Sequence, residues 1–142
     1  MKPFLLSAAV GGALLHAQAP PSSSSPAVTV WSGVYTDAQA KRGAAITAQS
    51  CVGCHGIDMN SGEPGPWLYG SDFAKRYEGA TVADLVRRLD QMPPDQPGTL
   101  GPQALADIAA FVLWSNDFPV GARELPTDTD ALARIAIQTK KP

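Results

Sequence analysis

The chain has 142 residues, of which 44% are hydrophobic and 17% charged, and its formal net charge is −2. This length suits one domain of ordinary size. The weak negative charge, without a basic stripe, excludes the electrostatic pattern typical of nucleic-acid-binding proteins.

Residues 1–19 have the pattern of a secretory signal. Lys2 supplies the positive start, residues 4–15 are apolar, and residues 17–19 (AQA) offer small residues at a cleavage site. The apolar run is shorter than the ~20 residues needed to span a bilayer, so we predict cleavage after Ala19; a retained membrane anchor is the alternative. The prediction implies a periplasmic or otherwise exported protein without a stable membrane span.

Residues 20–30 form a Pro- and Ser-rich segment that begins PPSSSSPAV. Such a composition builds no core, so we predict a disordered linker here. The folded domain is predicted over residues 31–142, with a C-terminal extension after its last helix.

Capping residues, prolines and hydrophobic spacing predict an all-α domain. Thr36 or Asp37 starts the first helix, and Thr81 with Asp84 makes a variant capping box at another. Pro102 suits a first helical turn. The predicted helices run from 36 or 37 toward 51, over 72–77, over 81–92, from 102 to about 115, and over 127–137.

The two cysteines of the chain occur in Cys51-Val52-Gly53-Cys54-His55, which allows four interpretations. A disulfide is permitted in an exported protein, but a thioredoxin-like motif expects a preceding strand. Zinc would need an acidic side chain to complete four ligands. Free buried thiols fit an oxidising compartment poorly. Covalent haem attachment is the fourth interpretation.

The haem interpretation accounts for all three functional residues of the motif. C-x-x-C-H is the signature of c-type haem attachment, in which Cys51 and Cys54 form thioethers and His55 is an axial iron ligand. Haem c is attached outside the cytoplasm, which agrees with the predicted signal. We therefore predict one covalent haem c.

A methionine is the expected second axial ligand, because signal cleavage removes His16 and leaves no second histidine. Met59 lies four residues after His55, so its chain is still on the proximal side of the ring. Met92 follows a predicted helix and has ample chain to reach the opposite face. Met92 is therefore the predicted distal ligand, and Met59 is assigned to packing or the surface.

The sequence resembles the class I cytochromes c, in particular the small cytochrome domains of quinoprotein (PQQ-dependent) alcohol dehydrogenases. The resemblance covers nearly all of the chain after the linker. Its residues are the stretches GVYTDAQAKRG, CVGCHGIDM, PWLYGSDF, TVADLVRRLDQMPP, PGTL, DIAAFVLWSNDFPVGAREL and LARIAI.

The resemblance implies a cytochrome c fold of four to five short helices around one haem. It implies that Gly43 lies where the first helix crosses the last long one, against Ile108 and Phe111. Thr47 departs from the family, which usually has an aromatic residue there. The resemblance also implies that Pro66, a cofactor-site residue, packs near His55 and helps to fix its ring. Trp67 and Tyr69 are candidates to hydrogen-bond a haem propionate or cover the ring, with packing in the core as the alternative.

The predicted function is that of a periplasmic monohaem electron carrier rather than an enzyme. The resemblance implies a periplasmic dehydrogenase as electron donor and a cytochrome or terminal oxidase as acceptor. The alternative is a haem protein with a labile sixth ligand that binds gases or acts as a peroxidase.

Overall fold

The structure is a computed structural model that describes residues 28–57, 59 and 65–142. The predicted signal, residues 1–19, and residues 20–27 of the predicted linker lie outside the described residues. None of the described helices is long and apolar enough to cross a membrane. The described elements are β1 Val28–Thr29, a 3₁₀ turn Val30–Ser32, α1 Asp37–Ser50, α2 Val52–His55, α3 Gly70–Tyr77, α4 Val82–Leu89, α5 Pro102–Ser115, α6 Thr129–Ala133 and β2 Ile135–Ala136.

The helix starts follow the capping residues, which confirms the all-α prediction. The Thr36 hydroxyl accepts a hydrogen bond from the Gln39 amide at 3.1 Å at the start of α1. Thr81 and Asp84 form a complete capping box at α4. The described part of the chain has six α-helices instead of four or five, because the turn before His55 is itself helical.

The prediction of disorder up to residue 30 is wrong for residues 28–30. Val28 and Thr29 pair in parallel with Ile135 and Ala136, and Val30 is fully buried. The Pro- and Ser-rich composition ends before this Val-Thr-Val stretch, which has β-branched side chains that suit a strand and a core. The folded domain therefore begins by residue 28.

The last helix is shorter than the predicted 127–137. It covers Thr129–Ala133 and is capped by the Asp128 side chain. The chain then becomes extended, because Ile135 and Ala136 pair with β1 and the Ile137 amide donates to the Ala80 carbonyl at 2.8 Å. Backbone pairing at the end of the chain overrides the helical spacing of its apolar residues.

The close crossing of α1 and α5 positions the end of α1. A Cβ atom on Gly43 would lie 1.9 Å from the Asp107 carbonyl oxygen and 2.9 Å from Phe111 Cβ. Beside the crossing, Arg42 binds the Asp107 carboxylate through two hydrogen bonds of 2.9 and 3.0 Å. Burial raises the pKa of Asp107, but hydrogen bonds from Arg42 and Gln103 hold it below the usual value. The predicted place of Gly43 at the crossing is confirmed.

Substitution Gly43→Ala is expected to destabilise the protein by about 1–3 kcal/mol, because the added methyl group overpacks a backbone contact. Thermal unfolding of the purified holoprotein measures the change. Gly53→Ala is the matched control, since its Cβ would meet nothing within 4 Å. Equal unfolding temperatures for the two variants would show that α1 and α5 can accommodate the methyl group without loss of stability.

Candidate metal centre

The C-x-x-C-H motif continues directly from α1 into the one-turn helix α2. The Cys51 amide donates to the Thr47 carbonyl at 2.9 Å, and the His55 amide donates to the Cys51 carbonyl at 3.0 Å. Helical spacing of four residues brings Cys51 and His55 to one face of this turn. α2 ends at Gly56, whose φ is 75°. The α1–α5 crossing thus fixes where the motif begins.

The two thiols have different surroundings. Cys51 is half-buried and Cys54 is exposed, and no disulfide joins them in the described part of the chain. Burial raises the pKa of the Cys51 thiol. In the part of the chain that the structure describes, no three His, Cys, Asp or Glu side chains form a metal-binding group, so the zinc interpretation finds no donor set there.

His55 is buried and held by the chain that follows it. Its Nδ1 lies 2.8 Å from the Pro66 carbonyl oxygen. A carbonyl oxygen only accepts hydrogen bonds, so Nδ1 is the donor, and in the neutral ring Nε2 keeps a free lone pair. The ring is therefore oriented and in the tautomer that binds a metal through Nε2.

Gly65 makes this close approach possible. Its amide donates to the Cys54 carbonyl at 3.1 Å. A Cβ atom at this position would lie 2.7 Å from the Cys54 carbonyl oxygen and 2.8 Å from His55 Nδ1. Gly65 was not identified from the sequence. The available indication was its place directly before Pro66, the proline expected next to His55.

His55 lines a cavity that Met59 and Met92 also line. Met92 is partly buried and comes just after α4, whereas Met59 is 1% exposed. The enclosed space measures about 30 Å³. The lining residues are Cys51, His55, Met59, Pro66, Leu68, Arg76, Tyr77, Arg88, Leu89, Met92 and Ile108.

A family model described as "Cytochrome C oxidase, cbb3-type, subunit III" matches residues 38–112. The chain belongs to the cytochrome c family that this model describes. The match covers the C-x-x-C-H motif, Met92 and most of α5. Comparison with curated proteins and with solved structures finds no match. Cytochrome c domains hold haem c, and membership of the family indicates an electron-transfer protein.

The residues of this cytochrome c domain fit a haem c group. The motif supplies two thiols for thioether bonds and an imidazole with a free Nε2, and two methionines supply thioether sulfur atoms in the same cavity. A buried hydroxyl without a hydrogen-bond partner, that of Tyr77, also lines the cavity. Two thiols, an imidazole nitrogen and a methionine sulfur are the donors that a haem c group requires.

Only one of the three residues expected near the haem, Pro66, lines the cavity. Pro66 lies beside His55 as the resemblance implied. Trp67 and Tyr69 are 48% and 39% exposed and do not line the cavity. Three polar residues of α3 and α4 line it instead, namely Arg76, Tyr77 and Arg88.

Sequence reasoning missed these three residues. One available signal was the spacing of Phe73 and Tyr77, which are four apart in α3 and form its buried face. No local sequence pattern indicates that α3 and α4 pack with their cavity-lining residues close to the C-x-x-C-H motif.

Proposed function

We propose that this cytochrome c is an exported monohaem carrier that transfers one electron at a time between redox proteins. The observation that carries the proposal is the hydrogen bond from His55 Nδ1 to the Pro66 carbonyl, in a cavity that Met92 also lines. An imidazole held in the metal-binding tautomer, together with a soft sulfur donor, is the ligand pair of an electron-transfer haem.

Each motif residue has a distinct part in this proposal. Cys51 and Cys54 would hold the porphyrin covalently, and His55 and Met92 would be the iron ligands. When bound, haem c supplies a one-electron iron couple. A neutral thioether from Met92 favours ferrous iron and so raises the reduction potential. With His55 and Met92 both bound to the iron, no position would remain for a substrate.

Exposed apolar side chains near the motif favour contact with another redox protein. Ile57, two residues after the ligand, is 83% exposed, and Trp67, directly after Pro66, is 48% exposed. Electron-transfer encounters bury little surface and are transient. A small apolar contact area next to the C-x-x-C-H motif suits transient binding of a redox protein.

A periplasmic dehydrogenase is the proposed donor, and a downstream cytochrome or terminal oxidase the proposed acceptor. The likeness of the sequence to the small cytochrome domains of quinoprotein alcohol dehydrogenases supports the donor. The signal pattern of residues 1–19 supports export, with no stable membrane span after cleavage.

A gas-binding or peroxidase function is the second candidate, and the position of Met92 favours it. Met92 lies beyond the end of α4, in residues 90–101, which form no helix or strand. A ligand on such a segment is less firmly held than one within a helix. A sixth ligand that dissociates would leave iron open to small molecules.

The visible spectrum of the reduced, purified protein with and without carbon monoxide separates these functions. A c-type spectrum that carbon monoxide does not change is expected for a six-coordinate electron carrier. A spectrum that shifts on addition of carbon monoxide would favour the gas-binding function. A colourless protein from cells that attach haem c to a control cytochrome would contradict both.

A further inference from the structure

Four aromatic side chains form a continuous row of ring contacts through the domain. Trp31 packs edge-on against Phe118, with ring centroids 4.9 Å apart. The centroid of Phe118 lies 6.2 Å from that of Phe73, and Phe73 lies 5.0 Å from Tyr77 by the same measure. Each separation is typical of aromatic rings that interact directly. The aromatic row therefore joins the 3₁₀ turn that follows β1 to the end of α3.

One end of the aromatic row is at the cofactor cavity. Tyr77 lines that cavity together with His55, and its hydroxyl has no hydrogen-bond partner among the described residues. Tyr77 and Phe73 are four residues apart in α3, so both rings lie on the buried face of that helix. The phenol ring is therefore part of the wall that would face the haem.

The other end of the aromatic row is at the protein surface. Trp31 is partly exposed and lines an open groove of about 400 Å³ between the 3₁₀ turn and residues 119–123. Its indole Nε1 donates to the Gln138 carbonyl at 2.7 Å, which fixes the orientation of the ring. The two rings inside the row exclude water, because Phe118 is 4% and Phe73 is 1% exposed. A dry row of rings thus connects the groove with the cavity.

This arrangement suits electron transfer between the surface and the haem. Tryptophan and tyrosine are the aromatic side chains that lose one electron most readily. An indole that has lost an electron is a far stronger oxidant than a ferric haem c, so ferrous iron reduces it with a gain of free energy. Electrons tunnel well through atoms in van der Waals contact and poorly across gaps. The packed rings between Trp31 and the cavity therefore favour this transfer.

We propose that Trp31 is a surface outlet for electrons, through which ferrous haem reduces oxidising radicals. The path is the row of rings formed by Tyr77, Phe73 and Phe118. The inference rests on the proposed function, because haem c in the cavity supplies the electron. First, Trp31 gives one electron to the radical, which becomes an anion, and the oxidised indole releases its Nε1 proton to water. Then one electron from ferrous iron and one proton from water restore the indole, and the iron becomes ferric.

Trp114 is the matched control for Trp31 among the three tryptophans of the chain. It is 51% exposed and stacks on Phe111, with ring centroids 6.2 Å apart. Neither of these two residues lines the cofactor cavity. Trp67 directly follows Pro66, a residue of the cavity wall, so it is replaced by Phe in both proteins of the comparison.

Pulse radiolysis of the ferrous holoprotein with azide radicals, which oxidise tryptophan by one electron, tests the inference. One variant, Trp67→Phe with Trp114→Phe, keeps Trp31, and the other, Trp31→Phe with Trp67→Phe, keeps Trp114. In the first variant we expect the indole radical to decay at the rate at which the ferrous bands are lost, independent of protein concentration. In the second variant the indole radical should persist several-fold longer.

Mass spectrometry of the digested wild-type protein gives a second readout that does not depend on the haem bands. Ferric holoprotein has no electron to give, so its Trp31 should accumulate oxidation products after the same dose of azide radicals. We expect the ratio of oxidised Trp31 to oxidised Trp114 to be several-fold lower in ferrous than in ferric holoprotein.

Variants inside the aromatic row test the path. Phe73→Leu and Phe118→Leu remove a ring but keep a large apolar side chain, so the transfer from iron to Trp31 should slow several-fold. Phe111→Leu is the same change at a ring outside the row, and it should leave the rate as it is. If Phe73→Leu fails to fold, the comparison of Phe118→Leu with Phe111→Leu decides.

Three results would overturn the inference. The first is an equal lifetime of the Trp31 and Trp114 radicals in ferrous protein. The second is an equal rate in Phe118→Leu and Phe111→Leu. The third is a Trp31 radical that decays while the iron stays ferrous, which would leave the proposed function intact. A wild-type protein without haem would instead refute the proposed function, so the two failures are distinguishable.

Discussion

Replacement of His55 by Ala is expected to abolish the accumulation of coloured holoprotein. His55 is the one histidine left after the predicted signal is removed, and no other described side chain offers an Nε2 to the cavity. Without an axial imidazole, iron loses its proximal ligand and the attached haem loses the group that orients it. Haem-stained gels and absorbance at the c-type bands, normalised to total protein, measure the loss.

The matched control for His55→Ala is Pro66→Ala. This variant keeps the carbonyl that accepts from His55 Nδ1, so it should retain haem, with at most a small decrease in yield. An unchanged yield and spectrum in His55→Ala would refute the assignment of the proximal ligand.

Replacement of Met92 by Leu is expected to leave haem covalently attached but open its iron. Leucine preserves most of the side-chain volume and removes the sulfur donor, so the fold should survive. The reduction potential should fall on the order of 0.1 V, within the roughly 0.8 V range over which axial ligands act. Carbon monoxide should then shift the reduced spectrum. Spectroelectrochemical titration and a carbon monoxide difference spectrum provide the two readouts.

Met59→Leu is the matched control, because Met59 lines the same cavity and undergoes the same chemical change. It should keep the wild-type potential and remain inert to carbon monoxide. If Met59→Leu opens the iron while Met92→Leu does not, the distal ligand is Met59, and the argument from chain length is wrong.

The helices could be predicted from sequence where local chemistry decides them. Thr36, Thr81 and Pro102 act on the next few residues, and the structure starts a helix directly after Thr36, after Thr81 and at Pro102. The ends of the domain could not be predicted in this way. Val28 and Ile135 are more than a hundred residues apart, and their pairing depends on the tertiary fold.

The same distinction applies to the candidate site. Cys51, Cys54 and His55 occur within five residues, so their spacing alone suggests the chemistry. Tyr77 and Arg88 come from two helices, and only the packing of α3 and α4 brings them to the cavity of His55. Trp67 is close to the motif in sequence but does not line this cavity.

The hydrogen bond that orients His55 is protected against most single mutations. Its acceptor is a peptide carbonyl, which every amino acid would supply at position 66. The vulnerable position is the preceding one, because any side chain on Gly65 would collide with the Cys54 carbonyl and the His55 ring. Among homologues with the same ligand geometry, position 65 should therefore tolerate far less variation than position 66.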